Sequence, residues 1–540
     1  MAGARFKREE PVEVVELPEQ VGPTWSDQQL AIFDWFQRSM PNAPENLVVI
    51  ARAGTGKTTT IVEGVNRAPE DFILVCAFNK KIADTLTQRC TKAEARTLHS
   101  LGMLFIRRAW PKIQVAKYGG TVRSKWLTDQ AQVIRRGADG RETLQRGSMA
   151  PRQVHTIVTD LHTKARDMGT EPTFDAISAL ADEFNFVVDN GWGQFDQDFV
   201  VYAAISAIEH AAKHEPKADI GIDFADMIFL PRAWNLITAD YQLVVVDEGQ
   251  DMTVAQLDMA QRACSGRMCI VGDNRQAIYR FRGADSGSLG RLKRELDAVE
   301  LGLNTTYRCA QSIVRRAQGL VPDIYAAETN PEGIVDVAGY TTLIDEVKAG
   351  DFVLSRINAP LVSLTLRLIR QGKRARMAGR DIGGAVKTIM EKLCGTNANT
   401  SVEDMLLKLE AWERKMVQRY ANSGKLDLVD KTRDQADTIR ALSEDTDETT
   451  VAGLIRTLAW LFEKEDEMDP STTIICSSVH KAKGLEAERV FVLMESFYRR
   501  PGSEEDDEEK NIEYVAVTRA KSHLTQVYDV PSLTKKRVER

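Results

Sequence analysis

The sequence is poor in several features that would assign it a class at once. Seven cysteines (Cys76, Cys90, Cys264, Cys269, Cys309, Cys394 and Cys476) are scattered through 540 residues with no CxxC pair. That argues against a structural zinc or an iron–sulfur cluster and points to free thiols in a reducing compartment. No apolar run approaches the length of a membrane span, and residues 1–20 are too charged for a signal peptide. A cytoplasmic protein without a membrane partner is therefore expected. There is no short internal repeat, and no low-complexity tract apart from the acidic run at 503–510. Nor is there an excess of positive charge, the formal net charge being −7. A nucleic-acid binder with that balance must gather its basic residues locally. Residues 107–152 carry eleven Lys/Arg against three Asp/Glu, and 367–380 form a second basic stretch.

What is present starts with residues 47–60, LVVIARAGTGKTTT. Leu47, Val48, Val49 and Ile50 read as a short buried strand. The loop Ala51-Arg52-Ala53-Gly54-Thr55-Gly56 follows, and then Lys57, Thr58 and Thr59 at the opening of a helix. Glycines without Cβ let backbone N–H groups wrap phosphates, and a helix N-terminus adds partial positive charge. Lys57 would reach the β- and γ-phosphates of a nucleotide, and Thr58 would ligate Mg²⁺. The first position of the GxxxxGK[ST] pattern is Ala51 in place of glycine. Upstream, Ser26 is positioned to cap a helix that carries Gln28 and Gln29. A glutamine there would read an adenine edge through its paired donor and acceptor.

Four further strand-and-loop units carry chemistry. The strand at 241–246 ends in Asp247 and Glu248, acids placed to hold Mg²⁺ and to activate a water. The strand at 269–272 leads to Gln276, placed to sense a γ-phosphate, and to Tyr279, Phe281 and Arg282, a mixture suited to stacking bases and holding phosphates. Phe78, Asn79 and Lys80 follow the strand at 72–77. Thr97 and His99 occupy another element junction, where a strand end and a helix cap are the plain alternative.

Together these stretches resemble the superfamily 1 DNA helicases of the UvrD/Rep/PcrA type, because every motif occurs in the family's order. ARAGTGKT is similar to motif I, CAFNKKIA and TLHS to motifs Ia and Ib, VVDEGQD to motif II and VGDNRQAIYRFRGAD to motif III. NTTYR, VHKAKGLE and YVAVTRA are similar to motifs IV, V and VI. The resemblance implies an α/β fold with two RecA-like parallel-sheet P-loop cores, each with a mainly helical insertion. It implies ATP and Mg²⁺ as cofactors, single-stranded and tailed duplex DNA as substrates, and 3′-to-5′ movement. It assigns ATP chemistry to Lys57, Thr58, Asp247 and Glu248 and coupling to Gln276. Adenine stacking falls to Tyr307, and the arginine fingers are Arg308 and Arg519. The ribose-side acid is Glu486, and the Q-motif residue is Gln29, with Gln28 its neighbouring alternative. Phe281 stands where the family stacks a base on Trp. Phe78 falls one place off the family's aromatic, and His480 joins the DNA contacts.

The expected layout is a tail (1–23), a first core (24–105 and 221–300) with a helical insertion (106–220), and a second core (301–380 and 471–540) with a reduced helical insertion (381–470). No room for a fused nuclease is expected after motif VI. The short second insertion makes translocation the firmer expectation than unaided unwinding. A translocase that strips proteins from DNA and a non-hydrolysing clamp that uses ATP as a switch are the rival readings. A monomer, with protein partners in replication or repair, completes the expectation.

Overall fold

The computed structural model describes residues 25–38, 46–116, 132–136, 142–149, 152–184, 186, 196–213, 221–278, 288–394, 400–422, 426–462, 469, 471–497, 504–531 and 533. Two six-stranded sheets, every pairing in them parallel, organise these residues. The first has the strand order Ala93–Thr97, Ile73–Ala77, Tyr241–Val246, Cys264–Gly272, Leu47–Ala51, Val299–Leu303. Its four inner strands carry near-continuous apolar runs because helices cover both faces. Val49, Val75 and Val245 enter the core on one face, while Val48, Leu74 and Val244 enter the core on the other. The strand leading to the glycine loop is separated from the strand ending in Asp247 by Cys264–Gly272. That neighbour therefore delivers Asp273 and Gln276 between the glycine loop and the acids, at the carboxyl end of the sheet.

The second sheet runs Ile334–Gly339, Ala520–Tyr528, Ala487–Leu493, Phe352–Ser355, Ile474–Ser478, Ala375–Met377. Its strands also alternate between two cores, with Leu354 and Ile475 on one face and Val353 and Cys476 on the other. The sheet pairing carries the first core through Leu303, past the expected boundary at residue 300.

The helix Asp27–Gln37 starts at Ser26, which exchanges hydrogen bonds with Gln29 in a capping box. It packs on the helix Lys57–Arg67, where a Cβ at Gly64 would sit 2.4 Å from the Phe36 ring. Only glycine permits that approach.

The first insertion differs in part from the helical expectation. Helices Arg152–Met168, Phe174–Glu183 and Gln197–Lys213 share a core built on Leu161, Ile177, Val200 and Ala204. An antiparallel ribbon, Gln132–Arg136 with Glu142–Met149, precedes them. Residues 381–470 contribute Arg380–Cys394, Val402–Asn422, Leu426–Glu444 and Val451–Phe462. Met405, Leu409, Ile439 and Leu458 from these helices join the core under one face of the second sheet. The helical stripe at Met405, Leu406, Leu409 and Trp412 is therefore packing. Part of the acidic run at 503–510 is helix, since Glu504–Val517 begins inside it. All seven cysteines are free. Among the described residues no helix is long and apolar enough to cross a membrane.

Candidate active site and nucleic-acid interface

The glycine loop leaves Leu47–Ala51 and returns as a helix at Lys57, with Gly54 at φ 72° and Gly56 at φ 81°. Both angles lie in the left-handed region where a side chain would be strained. The Thr55 hydroxyl donates to the Arg52 carbonyl at 2.9 Å and tightens the turn. Lys57, at the start of the helix, places its ammonium 3.0 Å from a Glu248 carboxylate oxygen. Glu248 itself has a left-handed backbone, φ 53° and ψ 43°, a strained state for a residue with a Cβ. That kink follows directly on the strand Tyr241–Val246 and Asp247.

The two acids titrate in opposite directions. Burial and the neighbouring Glu248 raise the Asp247 carboxyl above the usual range. Burial also works against an ionised Glu248, but the ammonium groups of Lys57 and Lys483 overcome it and hold this carboxyl below its usual value. The Gln250 amide donates to Glu248 at 2.6 Å, and its oxygen accepts the Asp273 N–H at 3.0 Å. Gln250 is fully buried and so fixes the position of Glu248 from behind.

The candidate adenine-side glutamines divide. Gln29 is buried, accepts from the Ser26 N–H and donates to the Thr60 hydroxyl at 3.1 Å. Its amide nitrogen also lies beside Gly56. Gln28 instead accepts from the Asn304 N–H at 2.9 Å. The Arg52 side chain goes to Asp273 (2.8 Å), Asn274 (2.8 Å) and Asp323 (2.7 and 3.0 Å). With its guanidinium so occupied, Arg52 is left with its backbone to offer a phosphate. Gln276 donates to the other Asp273 oxygen at 2.8 Å.

The second core closes on this loop at several points. The Tyr307 N–H donates to the Gly54 carbonyl at 2.9 Å, while the Tyr307 side chain stays exposed. A Cβ at Gly54 would sit 2.5 Å from both Arg308 Cβ and Thr306 Oγ1. The Ala53 N–H donates to the Tyr514 hydroxyl at 3.0 Å. Lys483 donates to both oxygens of Asp251 and to the Gln276 carbonyl at 2.7 Å. Arg308 pairs with Glu486 at 2.6 Å, and Lys521 reaches the other oxygen of that acid at 2.9 Å. Arg519 is buried and bonded to the Val515 and Leu485 carbonyls and the Thr518 hydroxyl. Burial, then the nearby Arg308 charge, lowers the Arg519 guanidinium to about 10.

The candidate DNA contacts are more dispersed. Phe78 is half-buried and packs on the core of the first sheet. The Asn79 side chain caps Lys80–Arg89 by accepting the Ile82 N–H, which leaves Lys80 exposed at the helix start. Thr97 likewise caps Leu98–Ala109 through the Ser100 N–H. His99 lies edge-on to the exposed Phe224 at 5.9 Å, and burial lowers its imidazole. His480 hydrogen-bonds the Ile278 backbone of the first core; burial, then Arg356, pushes its imidazole down to about 3. It is therefore neutral and offers hydrogen bonds only. Tyr279, Phe281 and Arg282 lie outside the described residues.

Sequence reasoning missed Gln250, Asp251, Lys483 and Tyr514 as site residues, although all four stand inside motif stretches. Their partners are remote in sequence, and only the folded chain brings them together. Asp273 also stands inside a motif stretch, whereas Asp323 carried no signal beyond being polar.

The family model of the UvrD/REP helicase N-terminal domain matches residues 36–297, and that of the UvrD-like helicase C-terminal domain matches 365–529. The chain belongs to the UvrD/Rep-type superfamily 1 helicases. It is similar to the F-box DNA helicase protein 1 of Schizosaccharomyces pombe, 24% identical over 89% of this chain and 55% of that protein. It is 23% identical to the ATP-dependent DNA helicase UvrD2 of Mycobacterium tuberculosis, over 92% of this chain and 79% of that protein. A probable DNA helicase II homologue of Mycoplasma pneumoniae is 25% identical, over 53% of this chain and 41% of its own length. The chain thus spans about half the length of the first and third of these relatives.

Proposed function

We propose that this chain is an ATP-driven DNA helicase that moves 3′ to 5′ along single-stranded DNA and opens tailed duplexes. One observation carries the reading: the phosphate loop that holds the Lys57–Glu248 pair is met at Gly54 by Arg308 of the opposite parallel-sheet core. The names of the relatives support DNA as the substrate, and the motif resemblance supports the polarity.

In this reading the amides of residues 54–58 and the Lys57 ammonium bind the triphosphate, while the Ala53 N–H stays with Tyr514. Thr58 and Asp247 form an oxygen-only donor pair of the kind Mg²⁺ prefers; they would hold that ion, which would supply charge compensation for the triphosphate. Phosphate draws Lys57 away from Glu248, which leaves that carboxylate to orient a water and accept its proton. Arg308 leaves Glu486 for the γ-phosphate, and Arg519 supports it from the same core. Glu486 then turns to the ribose, Tyr307 stacks on the adenine, and Gln29 reads its edge. Gln276 reports phosphate occupancy through Asp273. Closure on ATP and reopening after hydrolysis shift the grip on the strand. Phe78, Asn79, Lys80, Thr97, His99, Tyr279, Phe281, Arg282 and His480 supply that grip. The chain works as a monomer in the cytoplasm, with protein partners in replication or repair.

The test is unwinding of a 3′-tailed, a 5′-tailed and a blunt duplex, with ATP hydrolysis followed in parallel. Unwinding of the 3′-tailed duplex alone is expected. DNA-stimulated hydrolysis without unwinding would favour a translocase that clears proteins from DNA. A preference for the 5′ tail would overturn the polarity. Binding without hydrolysis would leave an ATP-switched clamp.

A further inference from the structure

The phosphate loop is gripped from both sheets, and one of those grips is made by a side chain that phosphate binding does not require. Arg52 lies at a position where the GxxxxGK[ST] pattern accepts any residue, and it is almost wholly buried. Its Nη1 satisfies Asp273 and Asn274 within its own core. Nε and Nη2 then meet both oxygens of Asp323, at 3.0 and 2.7 Å. Asp323 belongs to the other core: its neighbours Val321 and Ile324 pack with Phe352 and Leu354 of the second sheet.

We infer that Asp323 is a positioning residue for the phosphate loop, acting through Arg52 to couple nucleotide binding to closure of the two cores. This rests on the nucleotide-site reading above. Asp273, fully buried in the same core, also pairs with the buried charge of Arg52, so Asp323 is not its sole counter-charge. The planar guanidinium and the carboxylate meet side-on through two parallel bonds, a geometry that specifies orientation as well as attraction. Asp323 keeps 46% of its side chain exposed. Solvent therefore screens the pair, which makes it a reversible clasp rather than a permanent weld. Its pull passes along one chain of contacts. Arg52 holds one oxygen of Asp273, and the other oxygen holds the Gln276 amide. Separation of the cores therefore disturbs the loop and the sensor together. The Ala53 N–H to Tyr514 contact one residue away makes the junction act as a unit.

The experiment uses the full chain and two readouts. A fluorescent non-hydrolysable ATP analogue with Mg²⁺ reports affinity. A donor–acceptor pair at the exposed Asp71 and Asp345, one in each core, reports closure without nucleotide. Asp323→Asn is expected to weaken analogue binding about three- to tenfold and to lengthen the inter-core distance, with kcat at saturating ATP changed far less than KM. Asp323→Glu should recover most of the loss. Added salt should weaken wild-type binding more than that of Asp323→Asn. Wild-type distance and affinity in Asp323→Asn, with Arg52→Gln still impaired, would overturn the inference, since Arg52 would then act only through Asp273. Failure of the wild-type chain to bind the analogue would reject the nucleotide reading, and the distance measurement would still decide whether the clasp exists.

Discussion

Lys483 of the second core spans the cleft to place its ammonium 2.8 and 2.6 Å from the two carboxylate oxygens of Asp251 in the first. Both groups are buried, so the pair is barely screened. Burial raises the Asp251 carboxyl to about 6, with Lys483 pulling against that rise. A carboxyl raised in the folded state contributes most to stability below its usual value near 4, and that contribution is lost as the pH climbs through about 6. Protonation near pH 6 also removes the charge that attracts Lys483. The inter-core distance should therefore lengthen as the pH falls through about 6, and Asp251→Asn should abolish that titration. In Lys483→Met, burial of Asp251 goes uncompensated, so any titration assigned to it should move to higher pH.

Glu248→Gln should reduce DNA-stimulated ATP hydrolysis by about 100- to 10,000-fold, the usual worth of a positioned general base. Binding of a non-hydrolysable ATP analogue should survive, because Lys57 loses an anionic neighbour and keeps its place in the loop. Steady-state hydrolysis beside equilibrium binding separates the two effects. Surviving hydrolysis would remove Glu248 from the base role.

Gln250→Ala should lower kcat about 10- to 100-fold with KM nearly unchanged, since it leaves Glu248 free to drift from a position set at 2.6 Å. A matching change in KM would mean that Gln250 supports the loop and not the base.

Arg308 and Arg519 should fail in different ways. Arg308 keeps 22% of its side chain exposed and pairs with Glu486. Arg308→Ala should cost about a thousandfold in hydrolysis with little change in melting temperature. Arg519 is buried and holds two carbonyls of its own core. Arg519→Ala should also destabilise the fold by about 3 kcal/mol, by orphaning those carbonyls. Calorimetry alongside the hydrolysis assay distinguishes the pair.

Asp434, on the insertion helix Leu426–Glu444, accepts from the N–H groups of Asn358 and Ala359 and from the Asn358 side chain. Asp434→Ala should cost about 1–3 kcal/mol and raise hydrogen exchange where the insertion meets the second core. Unchanged exchange there would show that the apolar contacts of Leu409, Ile439 and Leu458 suffice.

Local chemistry wrote much of this protein in readable form. A buried parallel strand needs a continuous apolar run, so Leu47–Ala51 and Tyr241–Val246 were visible from composition alone. A phosphate loop needs glycine at positive φ beside Lys and Thr, so residues 54–58 were visible by spacing. The ribbon at Gln132–Arg136 and Glu142–Met149 was not, because no alternating apolar pattern marks it within a basic stretch. What only the tertiary structure decided is which polar groups meet. Arg52 with Asp323, Lys483 with Asp251, and Tyr514 with Ala53 are each more than 200 residues apart in the chain. A lone charge or hydroxyl has no periodicity that names its partner. Its role is set by the packing of two sheets that bring remote segments within hydrogen-bonding distance.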